Sequence, residues 1–146
     1  MRKVLKLLVY ISFFAYLCFL LYLLFFSHYR QSVEGVIAYN LVPFTTIQGY
    51  FSTFTGFSLT DQFIGNILAF LPFGFLIVFI IPRSSLMRIL IYTFVLSFGI
   101  ECLQILFRVG AFDVDDLLLN TVGGVIGYVF SLLFQTKKIE VDLEEN

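Results

Sequence analysis

Long apolar runs alternate with short polar breaks along this chain, and the run lengths predict its architecture. A transmembrane helix needs roughly 20 consecutive, mostly apolar residues to cross the hydrocarbon core of a bilayer. Four runs meet that rule, at about Val4–Phe26, Phe63–Ile81, Met87–Phe107 and Leu117–Phe134. They predict an all-α integral membrane protein, a four-transmembrane-helix bundle forming one domain over residues 1–146. The first run is longer than the ~7–15-residue core of a cleaved signal peptide. It is followed by Ser27-His28-Tyr29-Arg30 with no small-x-small cleavage site, so it reads as a retained anchor.

The connection between the first two runs has a different texture. Its middle, Val36–Ser58, is aromatic and moderately apolar, but Pro43, Gln48, several threonines, Ser52 and Ser58 interrupt it. Tyr39, Phe44, Tyr50, Phe51, Phe54 and Phe57 suit the interfacial belt, where aromatic rings sit at headgroup level. An interfacial or partly re-entrant segment is expected there rather than a fifth span. The acidic tail Ile139–Asn146 lacks a packing pattern and is expected to fray.

Composition agrees with the run lengths. Hydrophobic residues make up 60% of the chain against 13% charged, and mean hydropathy is +0.97, which excludes an ordinary soluble domain. Cys18 and Cys102 lie inside apolar runs, where a thiol is expected to be a small packing residue rather than half of a disulfide. No Cys/His spacing for zinc and no glycine-rich phosphate loop occurs, so no metal, other cofactor or nucleic-acid partner is expected.

The distribution of basic residues predicts orientation. Arg2, Lys3, Lys6, Arg83, Arg88, Lys137 and Lys138 all fall on one side of the four-span scheme, leaving only Arg30 and Arg108 on the other. The positive-inside rule then places both termini in the cytoplasm, and the 27–62 connection outside. Six acids (Glu34, Asp61, Glu101, Asp113, Asp115 and Asp116) share the outer side with those two bases. That excess favours a cation or a basic partner. However, Asp113-x-Asp115-Asp116 lacks the glycine and terminal glutamate of an EF-hand loop.

Depth sorts the remaining polar groups. Glu101 and Gln104 precede the outer end of the third span by one to two turns, roughly 5–10 Å at ~1.5 Å per residue. Asn66 and Asn120 each sit about one turn into the second and fourth spans. At ~100° per residue, Glu101, Gln104 and Arg108 share an arc of roughly 60°, and Asp113, Asp116, Asn120, Gly123, Gly124 and Gly127 one of roughly 100°. Asp115 points elsewhere, toward the outer loop. Gly123-x-x-x-Gly127 has the small-residue spacing of close helix approach. Pro72 is expected to kink the second span and free a carbonyl near the polar cluster.

These groups predict a polar pocket in the outer leaflet, with Glu101, Gln104, Asp116 and Asn120 facing one another and Asn66. Each also has a plainer reading. Asp113 fits a helix N-cap, with Asp115 and Asp116 beside the positive helix end. Arg108 fits a snorkelling anchor, and Gln104, Asn66 and Asn120 fit interhelical hydrogen bonding. Glu101 has fewer alternatives, because a carboxyl at that depth must be protonated, paired with Arg108 or wetted by a cleft.

Three blocks resemble the VanZ-like family of small bacterial membrane proteins. They are Asn40-Leu-Val-Pro43-Phe44-Thr-Thr46-Ile47, then Asn66-Ile-Leu-Ala-Phe70-Leu-Pro72-Phe73-Gly74-Phe75-Leu76, and Ile100-Glu101-Cys-Leu-Gln104 running into Phe112-Asp113-Val-Asp115-Asp116-Leu-Leu-Leu-Asn120-Thr121-Val-Gly123-Gly124. The resemblance covers roughly Asn40 to Tyr128, with no departure inside the blocks, and the third block is the most specific. It adds Asn40 to the candidate residues. It implies a helical bundle in a bacterial plasma membrane, associated with low-level resistance to teicoplanin-type, lipid-bearing glycopeptides.

Two function classes follow. In the first, the outer pocket binds a membrane lipid or a lipid-linked envelope molecule, such as a lipoglycopeptide, without catalysis. In the second, a small intramembrane enzyme acts on a lipid-linked substrate, with Glu101 or Asp116 as acid/base and Arg108 holding an anionic headgroup. A transporter is not expected, because no polar groups continue into the inner half to form a path.

Overall fold

The apolar runs become helices of membrane-crossing length. A computed structural model describes residues 2–26, 39–52, 57–81 and 84–144. The helices are α1 (Arg2–Phe26), α2 (Thr45–Ser52), α3 (Phe57–Ile80), α4 (Leu86–Phe107) and α5 (Val114–Glu144). Among the described residues, four stretches are long and apolar enough to cross a bilayer: Lys3–Phe26, Gln62–Ile80, Leu86–Phe107 and Val114–Phe134. The protein is a four-helix membrane protein, as the run lengths predict. His28, Arg30, Glu34, Phe54 and Arg83 lie outside the described residues.

Two short elements sit at one end of the bundle. β1 (Tyr39–Asn40) pairs in parallel with β2 (Phe112–Asp113), with Tyr39 opposite Phe112 and Asn40 opposite Asp113. The eight-residue α2 follows β1 and is far too short to span a bilayer. Tyr39, Leu41, Val42 and Phe44 lead into it with their side chains exposed.

α5 packs against both α3 and α4, and glycines set how closely. A Cβ added at Gly123 would lie 2.2 Å from the Ile67 carbonyl oxygen, and one at Gly127 would lie 1.9 Å from that of Leu71. Gly74 returns the contact from α3, where an added Cβ would meet the Gly124 carbonyl oxygen at 1.8 Å. Between membrane helices the hydrophobic effect supplies little attraction, so such van der Waals contact does most of the holding.

Apolar clusters fill the rest of the interior. Leu20, Leu24, Phe70 and Ile100 form one, nearer the strand-bearing end, and Phe73, Ile77 and Ile89 form a second. At the other end Ser85 caps α4, and the Tyr128 hydroxyl reaches the Ser84 carbonyl at 3.5 Å.

The backbone of α5 runs on to Glu144. Pro72 sits inside a continuous α3, where it removes the amide that would bond the Leu68 carbonyl, and on the α1 side the next carbonyl, that of Ala69, accepts from the Tyr16 hydroxyl at 2.8 Å.

Candidate functional site

The junction of β2 and α5 gathers the carboxylates. Asp113 is the N-cap of α5, its Oδ1 accepting from the Asp115 amide at 2.8 Å. Strand pairing carries Asn40 to the same place, and Asn40 Nδ2 donates to Asp113 Oδ1 at 3.0 Å and to Thr46 Oγ1 at 2.8 Å. The Thr46 hydroxyl completes the ring by donating to Asp113 Oδ2 at 2.6 Å. Asn40 and Asp113 therefore hold β1 and α2 onto the start of α5.

Asp115 does the same work more deeply. It is fully buried, and its carboxylate accepts three backbone amides at the start of α2. Oδ1 takes Phe44 N–H at 2.6 Å, and Oδ2 takes Thr46 N–H at 2.8 Å and Ile47 N–H at 3.1 Å. The first amides of a helix have no intrahelical partner and favour an anion. Here the anion comes from 70 positions away in the chain, give or take one or two. Phe44 is in the left-handed region at φ 69°, a conformation that turns its amide into the carboxylate.

Glu101 and Gln104 project from the last turns of α4. Glu101 is 2% exposed, and its Oε2 accepts from the Asp113 amide at 3.2 Å. The pairing with Arg108 is not found. α4 ends at Phe107, and Arg108 caps it in the left-handed region at φ 56°. The Arg108 amide bonds the Ile105 carbonyl and the Val109 amide bonds that of Gln104, both at 3.0 Å, a Schellman closure. A helical projection does not extend past that closure, so Arg108 leaves the face of Glu101 and is exposed. Gln104 turns to α1, where its Nε2 donates to the Leu24 carbonyl at 3.0 Å.

The remaining candidates split between two neighbours of α5. Asn66 Nδ2 donates to Asp116 Oδ1 at 2.5 Å across α3 and α5, and both residues are half-buried. Asn120 instead faces α4, its Nδ2 donating to Ser97 Oγ at 2.8 Å. Gly123 and Gly127 face α3, whereas Gly124 meets Thr93 of α4 as well as Gly74. The predicted set does not converge on one pocket. It resolves into a clasp of half-buried Asn40 and Asp113 with buried Asp115 and Glu101, a half-buried pair (Asn66, Asp116) and two interhelical links through Gln104 and Asn120.

Three buried hydroxyl residues escaped the sequence reading. Thr93, Ser97 and Glu101 follow at four-residue spacing on one buried face of α4, and Ser131 is buried on α5. The spacing was legible, but hydroxyls carry so little hydropathy that they do not stand out inside an apolar run. With them the polar face of α4 reaches Thr93, nearer the Leu86 end of the helix than the Phe107 end.

The carboxylates among these groups are acceptors engaged by the protein, whereas the buried Gln104 Oε1, Asn120 Oδ1 and Thr93 Oγ1 meet no hydrogen-bond partner among the described residues. Among the described residues no three His, Cys, Asp or Glu side chains converge as a metal site. Asp113 and Asp115 each have both carboxylate oxygens engaged by donors of the chain itself.

Comparison with known proteins gives the wider setting. A family model described as VanZ/LLP1 matches residues 13–135. Protein VanZ of Enterococcus faecium is 32% identical over 88 residues, which is 60% of this chain and 48% of that protein. The match thus spans about half the length of that curated relative. No solved structure matches.

Proposed function

The chain belongs to the VanZ/LLP1 family, and on that premise we propose that its clasped end faces outward in a bacterial plasma membrane and engages a lipid headgroup or lipid-bearing molecule there. The effect is reduced susceptibility to glycopeptides of the teicoplanin type. The half-buried Asn66–Asp116 pair carries this reading. It combines a carboxylate and an amide at the α3–α5 rim, whereas Asp115 and Glu101 are closed off from ligands. The clasp holds α2 and the exposed Tyr39–Phe44 edge at the same end, giving the site a fixed wall.

A catalytic role for Glu101 draws less support. Its Oε2 accepts a backbone amide, and the nearby Ser97 hydroxyl is bound by Asn120. A general acid/base needs reach to the substrate proton, and a carboxyl 2% exposed has none in this arrangement.

Expression in a susceptible Gram-positive host tests the function. The wild type is expected to raise the inhibitory concentration of teicoplanin more than that of vancomycin, and Asp116→Ala to abolish the rise at unchanged protein level. Loss of the protein along with the phenotype would make Asp116 a structural partner of Asn66 and sink the site.

Orientation has its own test, motivated by seven of nine basic residues on one side. A reporter fused after Lys138 is expected to read cytoplasmic. With Cys18 and Cys102 changed to alanine, Leu41→Cys is expected to react with an impermeant thiol reagent in intact cells. Reaction only after permeabilisation inverts the scheme and moves the Asn66–Asp116 pair to the cytoplasmic face.

A further inference from the structure

Toward the Phe107 end of α4, two buried amides present oxygens that find no hydrogen-bond partner among the described residues. Gln104 and Asn120 are 0% and 2% exposed. Gln104 Nε2 donates to the Leu24 carbonyl of α1 at 3.0 Å. A backbone carbonyl only accepts, so this bond fixes which end of the amide is the NH2 group and leaves Oε1 unmet. Asn120 repeats the arrangement on α5, with Nδ2 on Ser97 Oγ at 2.8 Å and Oδ1 unmet. Buried acceptors without a donor are costly, most of all where no water competes.

Glu101 lies between these two amides. It follows Ser97 by four positions and precedes Gln104 by three, which puts all three on one buried face of α4. α4 and α5 run antiparallel, since Thr93 meets Gly124, Ser97 meets Asn120 and Glu101 meets Asp113. Helical side chains lean toward the N-terminus of their own helix. Gln104 therefore leans along α4 toward the level of Glu101, and Asn120 leans the opposite way along α5, toward the same level. The two amide oxygens and the carboxylate are all acceptors. Arg108, the nearest basic residue along the chain, is exposed and off this face.

We propose that the Glu101 carboxylate, Gln104 Oε1 and Asn120 Oδ1 bind a monovalent cation of sodium size inside the bundle. Hard cations take carboxylate and amide oxygens together. One carboxylate matches one positive charge, whereas a divalent ion would leave a net charge buried in low dielectric. The close approach of α4 and α5, where a Cβ added at Gly124 would lie 2.4 Å from Thr93 Oγ1, favours sodium over the larger potassium. A water has two protons for three acceptors and no charge to set against the carboxylate. Glu101 is closed to a lipid, but an ion bound as the helices pack needs no open face. Such an ion ties α1, α4 and α5 together. The inference is independent of the resistance reading.

Thermal unfolding of the full-length protein in detergent tests it, in sodium, potassium, magnesium or choline chloride at matched ionic strength. An ion that binds only the folded state raises the melting temperature with its concentration. Sodium is expected to raise it by several degrees and to saturate, while potassium and magnesium add little beyond choline. Dialysis against radioactive sodium is expected to show one ion bound per chain. Glu101→Gln is expected to abolish both signals, and Gln104→Leu to raise the sodium concentration for half the effect by roughly tenfold or more. Gln104→Leu also breaks the bond to Leu24, so its melting temperature falls in every salt, and only the altered sodium dependence reports the ion. Equal responses to sodium and choline overturn the proposal and leave water as the guest of these oxygens. A larger response to magnesium overturns it too. So does a sodium response that persists in both variants, because the ion then sits elsewhere, as at Asp113 or Asp116. If neither variant accumulates, hydrogen exchange of the wild type decides. Sodium is then expected to slow exchange at Glu101–Gln104 and Leu119–Thr121 more than at Phe112–Asp115, and the reverse order overturns the site.

Discussion

Gly127→Leu is expected to remove the protein from the membrane almost completely, while Gly99→Leu leaves its level near wild type. Both changes put the same apolar side chain into a membrane span, so insertion itself favours both equally. They differ in what the new atoms meet. At Gly127 the first added carbon would lie 1.9 Å from the Leu71 carbonyl oxygen and 2.9 Å from the Phe75 amide nitrogen. Those are backbone atoms and cannot rotate away, so α3 and α5 must separate along the contact that also holds Gly123 and Gly74. Overpacking in a core costs roughly 1–3 kcal/mol where side chains can adjust. Backbone against backbone belongs at or above the top of that range. At Gly99 an added Cβ meets nothing within 4 Å. Immunoblots of membrane fractions and melting in detergent read the contrast. Equal levels of the two variants would mean that the α3–α5 contact does not hold the bundle together.

Asp115→Ala is expected to release α2 from the bundle, and Asp115→Asn to do nearly as much harm. The carboxylate accepts three amides with two oxygens in a fully buried place. Hydrogen bonds to a charged group contribute about 1.5–3 kcal/mol each, and stranded buried amides add their own desolvation cost. Since the three bonds share one group and are not additive, a loss of roughly 3–5 kcal/mol in local stability is reasonable. Asparagine keeps one acceptor oxygen but turns an NH2 group toward amides that also donate. Hydrogen exchange in lipid nanodiscs checks this at Phe44, Thr46 and Ile47. These amides are expected to be protected in the wild type and to exchange freely in both variants. Retained protection in Asp115→Ala would show that something other than this carboxylate caps α2.

The Asp115 result bears on how function is assigned at this end. A phenotype lost in Asp115→Ala reports collapse of the wall beside the Asn66–Asp116 pair rather than loss of a ligand contact. Asp116→Ala is the more informative change, because its carboxylate lies at the half-buried rim instead of under α2.

What the sequence determines by itself is the part of this protein that depends on the bilayer as solvent. The four spans are legible because each must be apolar over a fixed length, and their structural limits fall within three residues of the run boundaries. Gly123 and Gly127 announce close packing for a similar reason, since removing a side chain is the direct way to bring two helix backbones together. The β2–α5 junction likewise stands out by composition, with Asp113, Asp115 and Asp116 in four positions between apolar runs.

Which neighbour each polar group meets was decided only by the tertiary structure. Gln104 reaches the Leu24 carbonyl of α1, and Asp115 reaches amides around Thr46, so in both cases one partner is a backbone group that every residue carries. No side-chain pattern marks such a partner. Arg108 leaves the face assigned to it because the helix closes on the carbonyls of Gln104 and Ile105 first, and a periodic projection holds only while the helix does. Asp116 and Asn120 lie one turn apart on α5, yet one bonds α3 and the other α4. A helix wedged between two partners has a divided face, and the division depends on where those partners sit. Periodicity gives the direction of a side chain about its own axis, but the fold supplies what stands in that direction.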